Sequence, residues 1–264
     1  MSLPAVRPLF AVWEHAVFQE HELPMRILVV ADIHGNWPAL QALDEPHDVC
    51  LCLGDLVDYG LEPVACIDWV RKHAHYAVRG NHDHAAAQNV VTSGRAGFKY
   101  LAGVTRVLTR QRLGAQDLRF LADLPVTQAV TLDDTRFLLV HATPRDPLDE
   151  YAHPDPEFWS RRLQYVDADV VCVGHTHQPY VLEVAGKLII NPGSVGQPRD
   201  GDPRAAYAII DQNRVEIQRR EYPVEETIRR VQESTLPDQA KTMLTEVLRT
   251  GRGSQRTDNH NQQR

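Results

Sequence analysis

Carboxylate, histidine and amide side chains recur where apolar runs of this sequence end, and these residue types can bind metal ions. The segment 79–84, RGNHDH, follows the run HYAV and contains Asn81 and His82. Four other runs end in the same way: in Asp32 and His34, in Asp55 and Asp58, in His141, and in His175 and His177. Ligands bind outside the carboxyl ends of strands in open α/β sheets. If the runs are strands of one sheet or of two packed sheets, the five polar ends converge.

The donor types in this set favour a pair of divalent ions. Seven residues offer oxygen or nitrogen donors: Asp32, His34, Asp55, Asn81, His141, His175 and His177. A mixed set without thiolates suits Mn²⁺, Fe²⁺, Zn²⁺ or Ni²⁺, and we favour manganese. Seven donors exceed what one ion uses while keeping an open position, whereas two ions that share a carboxylate use them all. Two ions ~3.5–4 Å apart promote in-line displacement at phosphorus, and a bound water whose pKa falls to ~7 supplies the attacking hydroxide.

The elements that must position these residues follow from the hydrophobic pattern. ILVVAD, DVCLCLGD and HYAV predict strands, with helices at NWPALQALDE and EPVACIDWVRKH between them, which indicates a parallel sheet. DADVVCVGHTH predicts another buried strand. Later runs predict hairpins that turn at Asp133-Asp134, near Gly186 and around Gln212-Asn213. The chain therefore passes from parallel crossovers to antiparallel hairpins.

The order of the motifs resembles that of the calcineurin-like metallophosphoesterase family. The motifs are D-x-H (32–34), G-D-x-x-D (54–58), G-N-H-D (80–83), a lone strand-terminal His141 and G-H-T-H (174–177). NPGSVGQPR (191–199), followed by AAYAIID, is similar to the smaller bacterial and archaeal phosphodiesterase branch. The resemblance implies an α/β fold, a four-layer α-β-β-α sandwich in which two mixed β-sheets pack face to face between flanking helices.

The resemblance also implies residue roles. One ion would be held by Asp32, His34, Asp55 and His177, and the other by Asp55, Asn81, His141 and His175, so that Asp55 bridges the two. His82 is not a ligand in the family; it donates a proton to the leaving oxygen or stabilises its charge. Asp58 would orient His82, as carboxylates commonly do for functional imidazoles.

Three residues near the motifs have two interpretations each. Arg199 could bind a phosphate oxygen through its guanidinium group, or form a surface ion pair. Asn36 is a candidate substrate-binding residue and an equally good helix cap. Asp83 is expected to cap a helix beginning near Ala85 rather than to bind metal.

The pattern predicts several segments along the chain. Residues 25–222 would form the metallophosphoesterase domain, with a helical insert at 85–122 that Gly94, Gly97 and Gly103 divide into two or three helices. Residues 223–250 have helical spacing, and the tail 251–264 is expected to be disordered because it has no apolar residue. Residues 1–24 are an N-terminal extension of uncertain status: either they are a peripheral addition, or translation starts at Met25. A secretory signal is not expected there.

The helical insert carries six basic residues, which have two interpretations. We favour a solvated face over a cradle for an extended polyphosphate. The residues are Arg95, Lys99, Arg106, Arg110, Arg112 and Arg119.

Composition and charge narrow the class of protein and its partners. The formal charge of −7 among 264 residues argues against a nucleic-acid-binding surface. No apolar run approaches the ~20 residues that span a bilayer. The four cysteines, without C-x-x-C spacing, indicate core residues in a reducing compartment, so we expect a cytoplasmic protein. The oligomeric state is not indicated.

The predicted function is metal-dependent hydrolysis of a small phosphodiester or nucleotide. Protein serine/threonine phosphatases of the superfamily carry Arg after the second Asp of G-D-x-x-D and Glu after G-N-H, where this chain has Tyr59 and Asp83. That departure argues against the phosphoprotein phosphatase branch. Two alternatives remain: a protein or small-molecule phosphomonoesterase using the same site, and a non-catalytic binding scaffold of the same fold.

Overall fold

The apolar runs form two five-stranded sheets in the computed structural model, which describes residues 25–92, 94–212 and 214–253. The strands are β1 (Ile27–Val30), β2 (Val49–Cys52), β3 (Tyr76–Ala77), β4 (Thr127–Leu132), β5 (Thr135–Val140), β6 (Val170–Cys172), β7 (Tyr180–Val184), β8 (Lys187–Asn191), β9 (Ala205–Asp211) and β10 (Arg214–Arg220). Their order is β10-β9-β1-β2-β3 in the first sheet and β4-β5-β6-β8-β7 in the second.

Both sheets mix parallel and antiparallel pairs. In the first sheet β1 pairs in parallel with β2, and β2 with β3, while β9 runs antiparallel to β1 and to β10. In the second sheet β5, β6 and β8 are parallel, and the hairpin partners β4 and β7 close its two edges. The parallel strands of each sheet carry the predicted ligands at their carboxyl ends.

The helices follow the sequence pattern with two corrections. They are α1 (Trp37–Gln41), α2 (Pro63–His73), α3 (Asn81–Ala87), α4 (Gly97–Arg112), α5 (Ala115–Asp123), α6 (Pro156–Arg162), α7 (Val224–Glu233) and α8 (Asp238–Thr250). The expected interruption at Gly103 is wrong, because α4 runs through it and Gly103 lies against the backbone of Thr92. The start near Ala85 is also wrong, because the Asp83 carboxylate accepts the Gly80 N–H at 3.1 Å and so caps a helix that begins at Asn81.

Alternate residues of the central strands face two different cores, so both faces of each sheet are buried. In β1, Ile27 and Val29 face the second sheet, whereas Leu28 and Val30 face helices. The core between the sheets includes Leu51, Phe137, Leu139, Cys172 and Ile190. Helices α1, α2 and α5 cover the outer face of the first sheet, and α6, through the fully buried Trp159, covers that of the second. The predicted four-layer α-β-β-α fold is confirmed.

Some predictions lie outside the described residues or remain untested. The N-terminal extension 1–24 and the part of the tail from residue 254 onward are outside them. The domain boundaries and the helical insert at 85–122 stay predictions. Within the described ranges, no helix is both long enough and apolar enough to cross a membrane.

Gly54 allows the strand ends of the first sheet to approach each other. Its φ is +89°, and a Cβ atom there would lie 2.8 Å from Gly80 Cα. The turn after β2 therefore lies directly against the turn after β3, which brings Asp55 next to α3. Gly186 in the β7–β8 turn also has a positive φ, +71°, but a Cβ there meets nothing within 4 Å.

We therefore predict that Gly54→Ala lowers the free energy of unfolding by about 3 kcal/mol, since it combines backbone strain with a steric overlap. Gly186→Ala, the matched control, should cost about 1 kcal/mol, since only its positive φ is unfavourable. Urea denaturation of both variants measures the difference. Equal losses would show that close approach at Gly54 is not needed.

Candidate metal centre

The five predicted strand ends meet at one edge of the two packed sheets. β1, β2 and β3 carry three of them, and β5 and β6 of the second sheet carry the others. Hydrogen bonds join the sheets here; among them, His141 Nδ1 lies 2.8 Å from Leu53 O, and the His175 N–H donates to Asp32 Oδ2 at 3.0 Å. The structure thus brings all seven predicted ligand side chains together, and their assignment as ligands stays a prediction.

The backbone at this edge is held in an unusual conformation. Seven non-glycine residues of the site have φ between +48° and +67°: Asp32, His34, Asp55, Asp58, Tyr59, His175 and His177. Such conformations cost energy for residues with a Cβ atom and persist where the surroundings over-determine them. The left-handed residues turn successive side chains toward a common point.

One group of possible ligands comprises Asp32, His34 and His177, all buried, whose donor atoms lie within 4.8 Å of one another. Asp32 Oδ2 accepts the His175 N–H, but Asp32 Oδ1 has no hydrogen-bond partner among the described residues. That free oxygen is 3.3 Å from His177 Nε2. The carboxylate is therefore anchored by one oxygen and presents the other to the two imidazoles.

A second buried group comprises Asp55, His141 and His175, also within 4.8 Å. Asp55 Oδ1 accepts the His82 N–H at 2.8 Å, which leaves Oδ2 pointing into the site. Asp55 Oδ2 lies 3.3 Å from His141 Nε2 and 3.8 Å from His34 Nε2, so it stands between the two groups. Asn81 Oδ1 adds a neutral oxygen 3.2 Å from His141 Nε2.

Every imidazole of the two groups has one nitrogen bound to a backbone carbonyl. The pairs are His34 Nδ1 with Val57 O at 2.9 Å, His141 Nδ1 with Leu53 O at 2.8 Å, His177 Nδ1 with Gln197 O at 2.6 Å, and His175 Nε2 with Asp149 O at 3.2 Å. A carbonyl can only accept, so the facing nitrogen must carry the hydrogen. The other nitrogen of each neutral ring then presents a lone pair to the site.

These lone pairs face each other, and the arrangement fits bound cations. His34 Nε2 and His177 Nε2 are 3.1 Å apart, and neither carries a hydrogen in the neutral tautomers fixed by the carbonyls. His141 Nε2 likewise faces the oxygens of Asp55 and Asn81. A proton or a metal ion between such acceptors removes the repulsion between their lone pairs. The residues present therefore suit divalent ions.

The pKa values follow from burial and from the two carboxylates. Burial lowers the pKa of His34 and of His175 to about 3, and holds that of His177 well below its usual value. Burial also opposes a charged His141, but Asp55 and Asp32 raise its pKa to about 10. Burial raises the pKa of Asp32 to about 7. Three imidazoles are thus neutral at pH 7, the form that binds metals.

His82 lies beside the two groups rather than within them. His82 Nδ1 is 2.7 Å from Asp58 Oδ2, the contact expected for an imidazole oriented by a carboxylate. Burial opposes the charged imidazole, but Asp55 and Asp58 raise the pKa of His82. The Tyr59 hydroxyl, 3.4 Å from His82 Nε2, was not predicted to contact this histidine. The Nδ1 side of His82 is therefore fixed by Asp58, and Nε2 is the nitrogen that faces Tyr59.

Sequence reasoning also missed Arg106, which pairs with Asp58. Its Nε donates to Asp58 Oδ2 at 2.8 Å, and its side chain is buried. The favoured interpretation of the insert's basic residues as a solvated face therefore fails at Arg106. Arg110 and Arg112 donate to the carbonyls of Ala86 and Leu61. One signal was available, since Arg106 lies on the same face of α4 as the buried Leu101, Ala102, Thr105 and Thr109.

Arg199 lies at the edge of the site. Its Nη2 donates to Gln197 Oε1 at 2.7 Å, and its guanidinium carbon lies 3.6 Å from the centre of the Phe98 ring. Gln197 in turn accepts from His177 through its carbonyl. Arg199 is therefore a cation held next to the first group of possible ligands. Burial raises the pKa of Asp32 and the charge of Arg199 opposes that rise, whereas burial and Arg199 both lower the pKa of His177.

Asn36 and Asp83 are both occupied by protein contacts. Asn36 Oδ1 caps α1 by accepting from Ala39 N at 3.4 Å, and its Nδ2 donates to Gly196 O at 2.8 Å. These contacts favour the capping role over substrate binding. The Asp83 carboxylate accepts from the backbone N–H groups of Asp55 and Leu56, each at 2.8 Å, as well as from Gly80. It thus fixes the backbone that carries Asp55.

Comparison with known proteins agrees with this architecture. Residues 25–214 match the family model described as the calcineurin-like phosphoesterase superfamily domain. An uncharacterised protein of Methanocaldococcus jannaschii, MJ0912, is 31% identical over 243 residues, which are 80% of this chain and 94% of that protein. The phosphodiesterase YfcE of Escherichia coli is 26% identical over 207 residues, 71% of this chain and 88% of that protein.

A solved structure is similar over most of the chain. It is the crystal structure of a metallophosphoesterase from Sphaerobacter thermophilus, with a TM-score of 0.71 and 33% identity. The match covers 84% of this chain and 98% of that chain.

We predict that divalent ions stabilise the folded chain, because they bind the facing lone pairs only when the site is formed. Ions at 1,000 times Kd should add about 4 kcal/mol of stability, which raises Tm by roughly 10 °C for a domain of this size. Thermal melts of EDTA-treated protein with and without Mn²⁺ measure the shift. Asp32→Asn should reduce it, whereas Asp167→Asn, on an exposed ion pair, should not. No shift in the wild-type protein would contradict a metal centre.

Proposed function

Because the chain belongs to the calcineurin-like phosphoesterase superfamily, we propose that it hydrolyses a small phosphodiester or nucleotide with two divalent metal ions. One observation carries the proposal: Asp55 Oδ2 lies 3.8 Å from His34 Nε2 and 3.3 Å from His141 Nε2, so it stands between two groups of buried metal-binding side chains. His82, held by Asp58, lies beside these groups. A dinuclear site with an adjacent proton donor is an arrangement that supports phosphoester hydrolysis.

The proposed ligand sets follow the two groups. Asp32, His34, Asp55 and His177 would hold one ion, and Asp55, Asn81, His141 and His175 the other. Manganese is the ion we favour, and iron, zinc and nickel suit the same set of nitrogen and oxygen donors. When bound, the two ions would lower the pKa of a water to about 7 and draw charge from the phosphoryl oxygens.

The protein groups then govern the transfer. The oxygen of the water forms a bond to phosphorus while the bond from phosphorus to the leaving oxygen breaks. His82 gives a proton to the leaving oxygen, which departs as an alcohol, and the product phosphomonoester keeps the oxygen of the water. The number of protons is conserved. His82 gives one proton to the leaving oxygen, and the attacking water releases one proton, which restores the protonated form of His82. Asp58 keeps the ring of His82 aimed at the leaving group through the bond to Nδ1.

Arg199 is proposed to bind a phosphate oxygen at the edge of the site. Its guanidinium group stacks on Phe98, and its Nε has no hydrogen-bond partner among the described residues. A stacked guanidinium with unused donors suits a phosphate oxygen. Asn36 remains a weaker candidate for substrate contact, because its amide already bonds to Gly196 O and Tyr222 OH.

The preference for a diester or a nucleotide has three supports. The E. coli relative YfcE is named a phosphodiesterase. The positions that carry Arg and Glu in the phosphoprotein phosphatases are Tyr59 and Asp83 here, and Asp83 is fully buried against backbone N–H groups. In addition, Tyr151, 56% exposed, lies with its ring 4.3 Å from that of His175 and offers an aromatic surface to a nucleotide base.

The compartment proposed is the cytoplasm. All four cysteines, Cys50, Cys52, Cys66 and Cys172, are free and buried, as expected of core residues in a reducing environment. The partner proposed is the phosphoester substrate alone.

We predict that the metal-loaded protein hydrolyses bis-p-nitrophenyl phosphate with a kcat/KM at least about tenfold above that for p-nitrophenyl phosphate, a difference of about 1.4 kcal/mol in transition-state binding. Absorbance of released p-nitrophenolate measures both rates. Asp55→Asn, which alters the shared ligand, should abolish both and exclude a contaminating enzyme. A preference for the monoester would favour the phosphomonoesterase alternative, and no hydrolysis of either by metal-loaded protein would favour the binding scaffold.

A further inference from the structure

Helix α4 contacts the segment that carries Asp58, the residue that is hydrogen-bonded to His82. Asp58 and Tyr59 are consecutive residues with left-handed backbones, φ +67° and +59°, and both are buried. Two such residues in succession are unfavourable without external contacts. Thr105 and Arg106, consecutive residues of α4, supply contacts to both.

Thr105 holds the backbone of this segment. Its Oγ1 accepts the Tyr59 N–H at 3.0 Å and donates to Leu101 O at 2.7 Å. The hydroxyl therefore links the strained residue to the preceding turn of α4. Thr105 is 1% exposed, so water does not compete for this bond.

Arg106 holds the side chain of Asp58. Its Nε lies 2.8 Å from Asp58 Oδ2, its Nη2 contacts the same oxygen, and Nη2 is 3.4 Å from His82 Nδ1. Nη1 donates to Val90 O at 3.3 Å, which fixes the guanidinium plane from its other side. Asp58 Oδ2 thus receives both the imidazole and the guanidinium.

The charged form of the buried Asp58 carboxylate depends on the positive charge of Arg106. Asp58 is fully buried, and its Oδ1 has no hydrogen-bond partner among the described residues. A buried carboxylate with one free oxygen is costly unless a charged group neutralises it. Two groups that can carry positive charge contact Asp58: Arg106 and His82. His82 must lose its proton in the proposed reaction, so Arg106 provides the permanent charge.

We propose that Arg106 is a positioning residue that makes helix α4 part of the reaction machinery. It holds the Asp58 carboxylate in the orientation that aims His82 at the leaving oxygen. The inference rests on the proposed function, in which His82 protonates that oxygen. If Arg106 only stabilised α4, its replacement would lower turnover equally for good and for poor leaving groups.

The test combines a double-mutant cycle with two leaving groups. Wild type, Arg106→Met, His82→Ala and the double variant are assayed, each loaded with Mn²⁺, on methyl p-nitrophenyl phosphate and on methyl phenyl phosphate. Phenolate is the poorer leaving group and needs the proton more. Arg106→Met should lower kcat by about 10- to 100-fold on the phenyl ester, with a smaller loss on the nitrophenyl ester and little change in KM. Adding Arg106→Met to His82→Ala should lower kcat by less than about threefold further.

Controls separate positioning from folding. Arg112→Met removes another arginine of α4, one that donates to the Leu61 carbonyl and not to Asp58, and should leave the leaving-group dependence unchanged. Arg106→Lys keeps the charge with fewer donors and should restore part of kcat. Metal content and Tm are measured for each variant, and metal content should match the wild type.

Independent, multiplicative losses in the double variant, or equal losses on both esters, would overturn the inference while leaving the proposed function intact. Failure of both Arg106→Met and Arg106→Lys to fold would also overturn it, since Arg106 would then be structural. Absence of wild-type turnover on any phosphoester would overturn the proposed function and this inference with it.

Discussion

Lone pairs that face each other in the protein interior are the constraint on which the rest of this structure depends. The carbonyls of Val57 and Gln197 fix the hydrogens of His34 and His177 on the far side of each ring, so the near nitrogens meet 3.1 Å apart without a proton between them. An interior of low polarity makes such an arrangement costly unless a cation lies between the donors. The site is thus built for positive charge before any substrate arrives.

The backbone adopts unfavourable left-handed conformations where it positions these donors. Left-handed conformations at Asp32, Asp55 and His175 turn side chains at the strand ends toward one point. Two residues make this arrangement possible. Asp83 binds the backbone N–H of Asp55. Gly54 permits close contact with Gly80. The proposed ligands come from both sheets, so the same contacts that form the site also join the sheets. The proposed metal binding would therefore be coupled to the stability of this fold.

Much of the fold and of the site could be predicted from the sequence, because strands buried on both faces leave continuous apolar runs and the polar residues after them stand out. Asp32 and His34 after ILVVA, and His175 and His177 after VVCV, are examples. The pairing of neighbouring strands then brings such ends together without knowledge of side-chain geometry. The same reasoning identified the hairpin turn at Asp133-Asp134, where both residues have a positive φ.

Contacts between distant segments could not be predicted in this way. Arg106 lies 48 residues from Asp58. The helical spacing of the buried residues of α4 places Arg106 on the inward face, but that spacing does not indicate which carboxylate it meets. The start of α3 at Asn81 depends on the cap from Asp83, which also serves Asp55. Gly103 was expected to interrupt α4, but a glycine is tolerated in a helix where a neighbouring backbone approaches closely.

The proposed metal centre holds two ions that share Asp55. Anomalous diffraction from a crystal of the Mn²⁺-loaded protein tests it most directly, because each bound ion gives its own peak. Two ions that share Asp55 should give two peaks about 3.5–4 Å apart, one next to His34 and His177 and the other next to His141 and His175, with the Asp55 carboxylate between them. A single peak, or two peaks that do not share Asp55, would contradict it.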